Sequence, residues 1–530
     1  MTPLRSLREL TAVVVLLAIA APRAEAPETL ASGIEKIMAR PEFKHAMFGV
    51  AVLDADSGAV LYAKNGGTLF VPGSTTKLVS VGSALGLLGP DYRFHTRVYR
   101  TGLVVDGTLQ GDLVLVASGD PNLSNRARPD GTYAFVDTDH SYGGAPVEGD
   151  PVAPLRDLAA QVAARGIKRV AGRVIVDVSL YREGEREGGT GVVISPIMVN
   201  DNLIDATALA GPNAGDPVRV ELSPFTSYLH VDSRLKTVAA SEQTQVRIVS
   251  DVENGDGSHT LTVEGRVPAG KTAQSRYNVP RPSRFAEFVF AEALQERGIV
   301  AAPRVKEDRV EPLSAKVTGQ PDMVMAEHVS LPLIEAARVI LKVSQNLHAS
   351  SLPYLLGAVV KHGDLQAGFD AMKEWLAAGG LDVDAMAQSD GAGAAALYTP
   401  LFMARYVAWI ARQPFAAGFE RALPILGKDG TLATIQAASP AADHVFAKTG
   451  TYSASDLLNR RTIVNGKGLA GYTRRADGRR LAIAIYVNQV AVPSEPDAAN
   501  RIAGQALGEI AALTYDSPLP RAPTSPVRTR

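Results

Sequence analysis

The two ends of this chain read alike, and the middle does not. Residues 48–54 alternate weakly, Asp56-Ser57-Gly58 turns, and Val60-Leu61-Tyr62 resumes, the pattern of a β-hairpin. Close to the other end, 471–475, the turn Ala476-Asp477-Gly478 and 481–488 predict a second hairpin, with a helix over 498–515 behind it. From 92 to 271 short β-type runs recur instead (96–99, 113–116, 170–176, 218–222, 246–252, 259–263), separated by Gly, Pro and Asp. Helical periodicity returns over 284–297 and 326–356. Matching ends around a β-rich middle predict one domain split by a long insertion. No fixed-period repeat supports a solenoid.

At 530 residues the chain has room for about three domains. Its net charge of -1 gives no overall field for nucleic acid or an anionic membrane. It has no cysteine, which excludes disulfides, thiolate metal sites, a cysteine nucleophile and an N-terminal lipidated Cys. Arg5 and Arg8 precede an apolar run over 10–21, then the small residues of 20–26. Basic, apolar, small is the order of a secretory signal peptide, and the run is too short to span a bilayer. Residues 1–26 are therefore read as a signal peptide and the protein as exported, periplasmic or secreted, with no transmembrane anchor once the signal is removed. The Pro-rich 516–530 reads as a disordered tail.

Three short motifs carry the chemistry. Pro72-Gly73 punctuates the chain before Ser74-Thr75-Thr76-Lys77, and Leu78, Val81, Leu85 and Leu88 predict an amphipathic helix from about Ser74 to Gly89. On a helix, residues three apart share a face, so Lys77 can reach the Ser74 hydroxyl. A buried lysine loses its charge more easily and can take the serine proton. Alone this is weak: Ser-x-x-Lys also occurs at Ser233/Lys236, and Ser74 could simply cap a helix. The second motif is Ser344-Gln345-Asn346, the only Ser-x-Asn in the chain. Its hydroxyl can relay a proton and its amide can hold a peptide backbone. The third is Lys448-Thr449-Gly450, also single, within a strand read over 445–452. On a strand Lys448 and Gly450 share a face. A cation and a hydroxyl beside bare glycine suit an anionic peptide terminus, with the glycine admitting the substrate backbone.

Taken in this order the three motifs mark penicillin-binding proteins and class A β-lactamases. The chain resembles the peptidase S13 type of low-molecular-mass penicillin-binding protein, the D-alanyl-D-alanine carboxypeptidase/endopeptidases. Gly119-Asp120-Pro121-Asn122-Leu123, Asn200-Asp201-Asn202, Ser389-Asp390-Gly391 and Leu469-Ala470-Gly471-Tyr472 also match, from about 28 to 513. Well over two hundred residues separate Lys77 from Ser344, as in S13 members, which carry two extra domains there.

The resemblance implies an α+β fold: a β-lactamase/transpeptidase-like domain, an antiparallel sheet flanked by helices, interrupted by β-rich inserted domains. The expected borders are 28–92 and 326–515 for the catalytic domain, 93–185 and 276–325 for domain II, and 186–275 for a nested domain III. It implies Ser74 as nucleophile, Lys77 as base, and Ser344 and Lys448 completing the proton network. Backbone N–H groups of Ser74 and Thr451 would form the oxyanion hole. Lys448 and Thr449 would hold the substrate carboxylate, with Gly450 beside them, and Asn346 the substrate amide. No cofactor or metal is implied. The partners are peptidoglycan peptides, with β-lactams as covalent inhibitors; oligomeric state is not given. Three departures lie by the expected cleft: Gly391-Ala392-Gly393 for Gly-Ser-Gly, Ala349-Ser350 for Ala-Glu, and a longer 451–470 stretch.

Two rivals stay open on sequence, a β-lactamase or esterase with the same nucleophile and a non-catalytic peptidoglycan-binding scaffold. Nine histidines without His-Glu-x-x-His, and no Gly-x-Ser-x-Gly, give a zinc peptidase of that kind and an α/β-hydrolase no support. His348 is read as a packing residue, since a lysine supplies the base.

Overall fold

The computed structural model describes residues 29–301 and 320–519. The signal-peptide reading of 1–26 lies outside these residues, as does the tail reading from 520 on.

The ends of the chain share one sheet. Val445–Asp456, Arg461–Arg474, Arg480–Asn488, Met47–Asp54 and Val60–Lys64 pair in that order, and Val490–Pro493 pairs with the start of the second strand. Every pairing is antiparallel. Both faces are covered, so the strands are apolar on both sides. Along Arg480–Asn488, Ala482, Ala484 and Tyr486 face one layer while Leu481, Ile483, Ile485 and Val487 face the other. The second layer holds Leu30–Met38 and Gln505–Asp516, the first and last described helices. Each large apolar side chain so buried contributes roughly 1.5–3 kcal/mol.

The first layer holds Thr76–Leu88, Leu333–Lys342, Asn346–Val360, Leu365–Ala378 and Pro400–Ile410. The helix after Ser74 differs from its sequence reading. It is not amphipathic in place: every residue from Thr76 to Leu85 is buried, because other helices and the sheet enclose it. Its Ser80 Oγ donates to the Gly391 carbonyl at 2.8 Å.

The middle of the chain forms separate small sheets. Val324–Val329, His95–Arg100, Leu113–Val116 and Val174–Asp177 make a four-stranded one, backed by Ala153–Ala164 and Pro282–Glu296. Arg219–Ser223, Leu203–Leu209 and Thr272–Asn278 make a second, and Leu229–Val238, His259–Pro268 and Gln245–Glu253 a third. The helical reading of 326–356 is corrected at both ends of its first half. Val324–Val329 is a strand against His95–Arg100, and the helix starts only at Leu333, after Pro332. A break at 343–345 then separates two helices. Ser233 and Lys236 lie on the strand Leu229–Val238, where three-residue spacing puts side chains on opposite faces. That second Ser-x-x-Lys is no pair.

Candidate active site

Ser74 sits in the tight turn Gly73–Thr75 that leads into the buried helix, and it is partly accessible. The turn can lie flat on the sheet because the strands beneath it are bare there. A methyl group on Gly450 would come within 2.0 Å of the Pro72 carbonyl oxygen and 2.9 Å of Ser74 N, and one on Gly466 within 2.3 Å of Val71 O. This revises the expectation for Gly450. The space above it holds the Pro72–Thr75 turn, so the glycine is needed for internal packing.

Lys77 Nζ lies 2.7 Å from Ser74 Oγ, 3.1 Å from Ser344 Oγ and 2.5 Å from Asn346 Oδ1. It is fully buried, which lowers its pKa to about 7 against the opposing pull of Glu187 and Asp390. A neutral amine has two N–H donors and one lone pair. Asn346 Oδ1 can only accept, and Ser344 Oγ can accept the second N–H, so the lone pair is left to the Ser74 hydroxyl.

The turn carrying Ser344 and Asn346 is held from the middle of the chain, by Tyr142, Asp139 and Asp201. Ser344 takes a left-handed conformation at φ 63°. The Tyr142 hydroxyl donates to its carbonyl at 2.6 Å. Gln345 is buried; its Oε1 accepts from Leu347 N at 2.8 Å, and its Nε2 points at Asp139 Oδ1 and Asp201 Oδ2 at 3.3 and 3.4 Å. His348 Nε2 pairs with Asp201 Oδ1 at 2.7 Å. His348 is thus buried in the seam under the turn and takes no part in the Lys77 contacts.

Lys448, Thr449, Gly450 and Thr451 lie on the edge strand Val445–Asp456, opposite Ala470, Leu469, Gly468 and Lys467. Lys448 is buried. Burial, then repulsion from Lys77 and Lys467, holds its pKa well below the usual lysine range. Among the described residues its amine makes one hydrogen bond, to the Thr449 carbonyl at 2.8 Å. The structure therefore joins Ser74, Lys77, Ser344 and Asn346 directly and leaves Lys448 beside them, bonded to its own strand. The Thr449 hydroxyl donates to Thr431 Oγ1 at 2.7 Å. Thr451 Oγ1 accepts from the buried Lys467 at 2.6 Å, whose pKa burial lowers to about 8.

Sequence reasoning missed Lys467 and Glu187. Glu187 lies in Glu-Gly-Gly-Thr-Gly, which reads as an ordinary turn. It is buried, and its Oε1 accepts from Asn346 Nδ2 at 2.9 Å. It also missed a buried charge cluster. Arg126 Nη2 donates to Asp139 Oδ2 at 2.7 Å and Asp201 Oδ2 at 2.6 Å, and His140 bridges Asp201 and Asp205. Burial alone would lower the His140 pKa, but the two carboxylates hold it up at about 10. Among the described residues, Asp139, His140 and Asp201 are the one group with metal-ligand spacing. The Arg126 guanidinium already supplies the positive charge both aspartates share.

The sequence of 30–507 matches the D-Ala-D-Ala carboxypeptidase 3 (S13) family. This chain belongs to that family. Similar proteins include a D-alanyl-D-alanine carboxypeptidase of Actinomadura sp. (strain R39), 28% identical over 454 residues, 81% of this chain and 78% of the relative. The D-alanyl-D-alanine carboxypeptidase DacB of Haemophilus influenzae is 22% identical over 457 residues, 83% of this chain and 85% of that one. The crystal structure of penicillin binding protein 4 (dacB) from Haemophilus influenzae has the same fold, with a TM-score of 0.68 at 20% identity, covering 91% of this chain and 98% of that chain. The α+β architecture is thus that of the penicillin-binding S13 proteins, and the chain is a serine-type hydrolase of D-alanyl-D-alanine peptides of the cell wall. No helix among the described residues is long and apolar enough to cross a membrane.

Proposed function

We propose that Ser74 is the nucleophile of this S13 hydrolase and Lys77 its base. The observation that supports this is the single amine 2.7 Å from the serine oxygen, with Ser344 and Asn346 occupying its other directions. Lys77 takes the Ser74 proton as Oγ attacks the carbonyl of the penultimate D-alanine. The backbone N–H groups of Ser74 and Thr451 hold the oxyanion, such donors contributing about 3–4 kcal/mol. The C–N bond breaks, and the proton passes from Lys77 through Ser344 to the leaving amine. Water then hydrolyses the acyl-enzyme. Lys448 and Thr449 receive the substrate carboxylate. Lys448 is available for this because, among the described residues, no carboxylate pairs with it. Asn346 keeps one N–H and one lone pair for the substrate backbone. β-Lactams acylate the same serine. The protein is exported, and 93–185 with 276–325 form one domain, carrying the nested domain 186–275, inserted between 28–92 and 326–515.

A fluorescent penicillin is expected to label the protein, with the added mass on the peptide containing Ser74, and Ser74→Ala to abolish the label. Rapid penicillin turnover with no adduct would overturn the assignment in favour of a β-lactamase. A muropeptide dimer and a pentapeptide, read by mass, separate endopeptidase from carboxypeptidase products.

The base also sets a pH dependence. Only neutral Lys77 can accept the proton, and the neutral form dominates above its pKa of about 7. The second-order rate of Ser74 acylation should rise about tenfold per pH unit below 7 and level off above it. A rate flat from pH 5 to 8 would remove Lys77 as base.

A further inference from the structure

We propose that Glu187, reaching in from the inserted segment, is a positioning residue that locks the Asn346 amide with its oxygen toward Lys77, leaving the Lys77 lone pair to Ser74. The inference rests on the Ser74–Lys77 reading above and adds to it a group outside the three motifs. The Glu187 carboxylate is filled by donors. Oε1 accepts from Gly189 N at 2.6 Å and Asn346 Nδ2 at 2.9 Å; Oε2 accepts from Thr190 N and Thr190 Oγ1, both at 2.6 Å. With all four acceptor positions occupied it has none left to take a proton from water, so it holds rather than reacts. Because an ionised carboxylate only accepts, it fixes which end of the amide faces it. A flipped Asn346 would set its oxygen against Glu187, which repels, and its N–H2 against Lys77, where it would donate into the lone pair that Ser74 needs.

The turn is shaped to this contact. Glu187 N donates to Val192 O at 2.9 Å and Gly191 N to Glu187 O at 3.0 Å, closing the loop. Asn278 Nδ2 ties it back through Thr190 O at 2.9 Å. A methyl group on Gly189 would fall 2.3 Å from Asn346 Nδ2. Backbone therefore lies directly against the amide, which no side chain at 189 would allow.

Glu187 also places a negative charge near a buried amine. The charged groups facing Lys77 are Glu187 and Asp390, which favour its protonation; the Lys448 amine also lies near, and repulsion from Lys77 lowers the Lys448 pKa. Glu187→Gln removes one of the two favourable charges and puts an N–H2 where a carboxylate oxygen took two donors. Acylation of Ser74 by penicillin, measured per molecule acylated across pH 5–9, gives two readouts. The plateau rate should fall about tenfold, the scale of an unmade buried hydrogen bond. The midpoint should move about one unit lower than in the unsubstituted protein. Glu187→Asp keeps the charge but draws the carboxylate back by one methylene, so it should lower the plateau and leave the midpoint in place. A Gln variant with unchanged midpoint, or an Asp variant with an unchanged plateau, overturns the inference. Failure of the parent reading looks different: the unsubstituted protein would then show no Ser74 adduct or no rise through pH 7.

Discussion

Lys77→Met should slow acylation of Ser74 by roughly 10²–10⁴-fold, the range a positioned general base supplies. Methionine matches lysine in length and apolar stem but has no lone pair for the Ser74 proton. It also leaves Asn346 Oδ1 and Ser344 Oγ without the donor that now reaches them at 2.5 and 3.1 Å. Lys77→Arg sharpens the result. Arginine keeps a positive charge and offers five donors, yet it cannot deprotonate in a protein. If charge alone mattered at this position, arginine would retain activity; if the amine is the base, both variants fail alike. The measurement is the rate of penicillin adduct formation at pH 8, above the Lys77 pKa of about 7, where the unsubstituted protein has its base free. Thermal melting should not follow the rate. A fully buried amine carries a desolvation cost that methionine lacks, so Lys77→Met should melt no lower. A variant at 77 that labels as fast as the original would sink the assignment.

The contacts of Lys77 were legible because helix geometry is local. Ser74 and Lys77 meet through a three-residue spacing that any helix enforces. Ser344 and Asn346 could be singled out as a motif, but their meeting with Lys77 required the fold to bring in a stretch far along the chain. The split sheet was visible for a similar reason: each hairpin at 47–64 and 461–488 is a local pattern, and only their pairing through Met47–Asp54 and Arg480–Asn488 is long-range. Residues whose role depends on a second, distant element left little mark. Glu187 is one acid in a glycine-rich turn until Asn346 arrives beside it. Gly450 was read as room for substrate because a strand glycine looks the same whether a ligand or the chain itself lies above it. Thr76–Leu85 reads as amphipathic because its serines and threonines look exposed until the helices and sheet that enclose them are known. The helical reading of 326–356 takes in the end of the strand Val324–Val329 because six residues carry too little periodicity, and its partner His95–Arg100 lies far upstream.

Arg126→Met should cost about 3–5 kcal/mol of stability at neutral pH, the usual penalty for stranding a buried charge. Arg126, Asp139 and Asp201 are all buried at 3% side-chain exposure or less. Burial alone would raise both carboxyl pKa values; Arg126 is the main cause that they lie below the usual range. Groups shifted that way stabilise the fold above the ordinary carboxyl pKa and lose that contribution as pH falls through the folded value. Without the guanidinium the same burial pushes the carboxyl groups up, so the variant regains stability when a proton binds. The gap between the two proteins, read from urea midpoints, should therefore be widest near pH 7 and narrow toward pH 5. A simple packing defect would give a gap independent of pH. The loss should reach the active site as well, because Asp201 anchors His348 and faces Gln345, and these flank Ser344 and Asn346. Acylation by penicillin should slow in the folded variant even though Arg126 makes no contact with Ser74 or Lys77. Residues 139–201 supply Tyr142, Asp139, Asp201 and Glu187 to a turn they do not contain, so the geometry around Lys77 depends on a part of the chain that carries none of the three motifs.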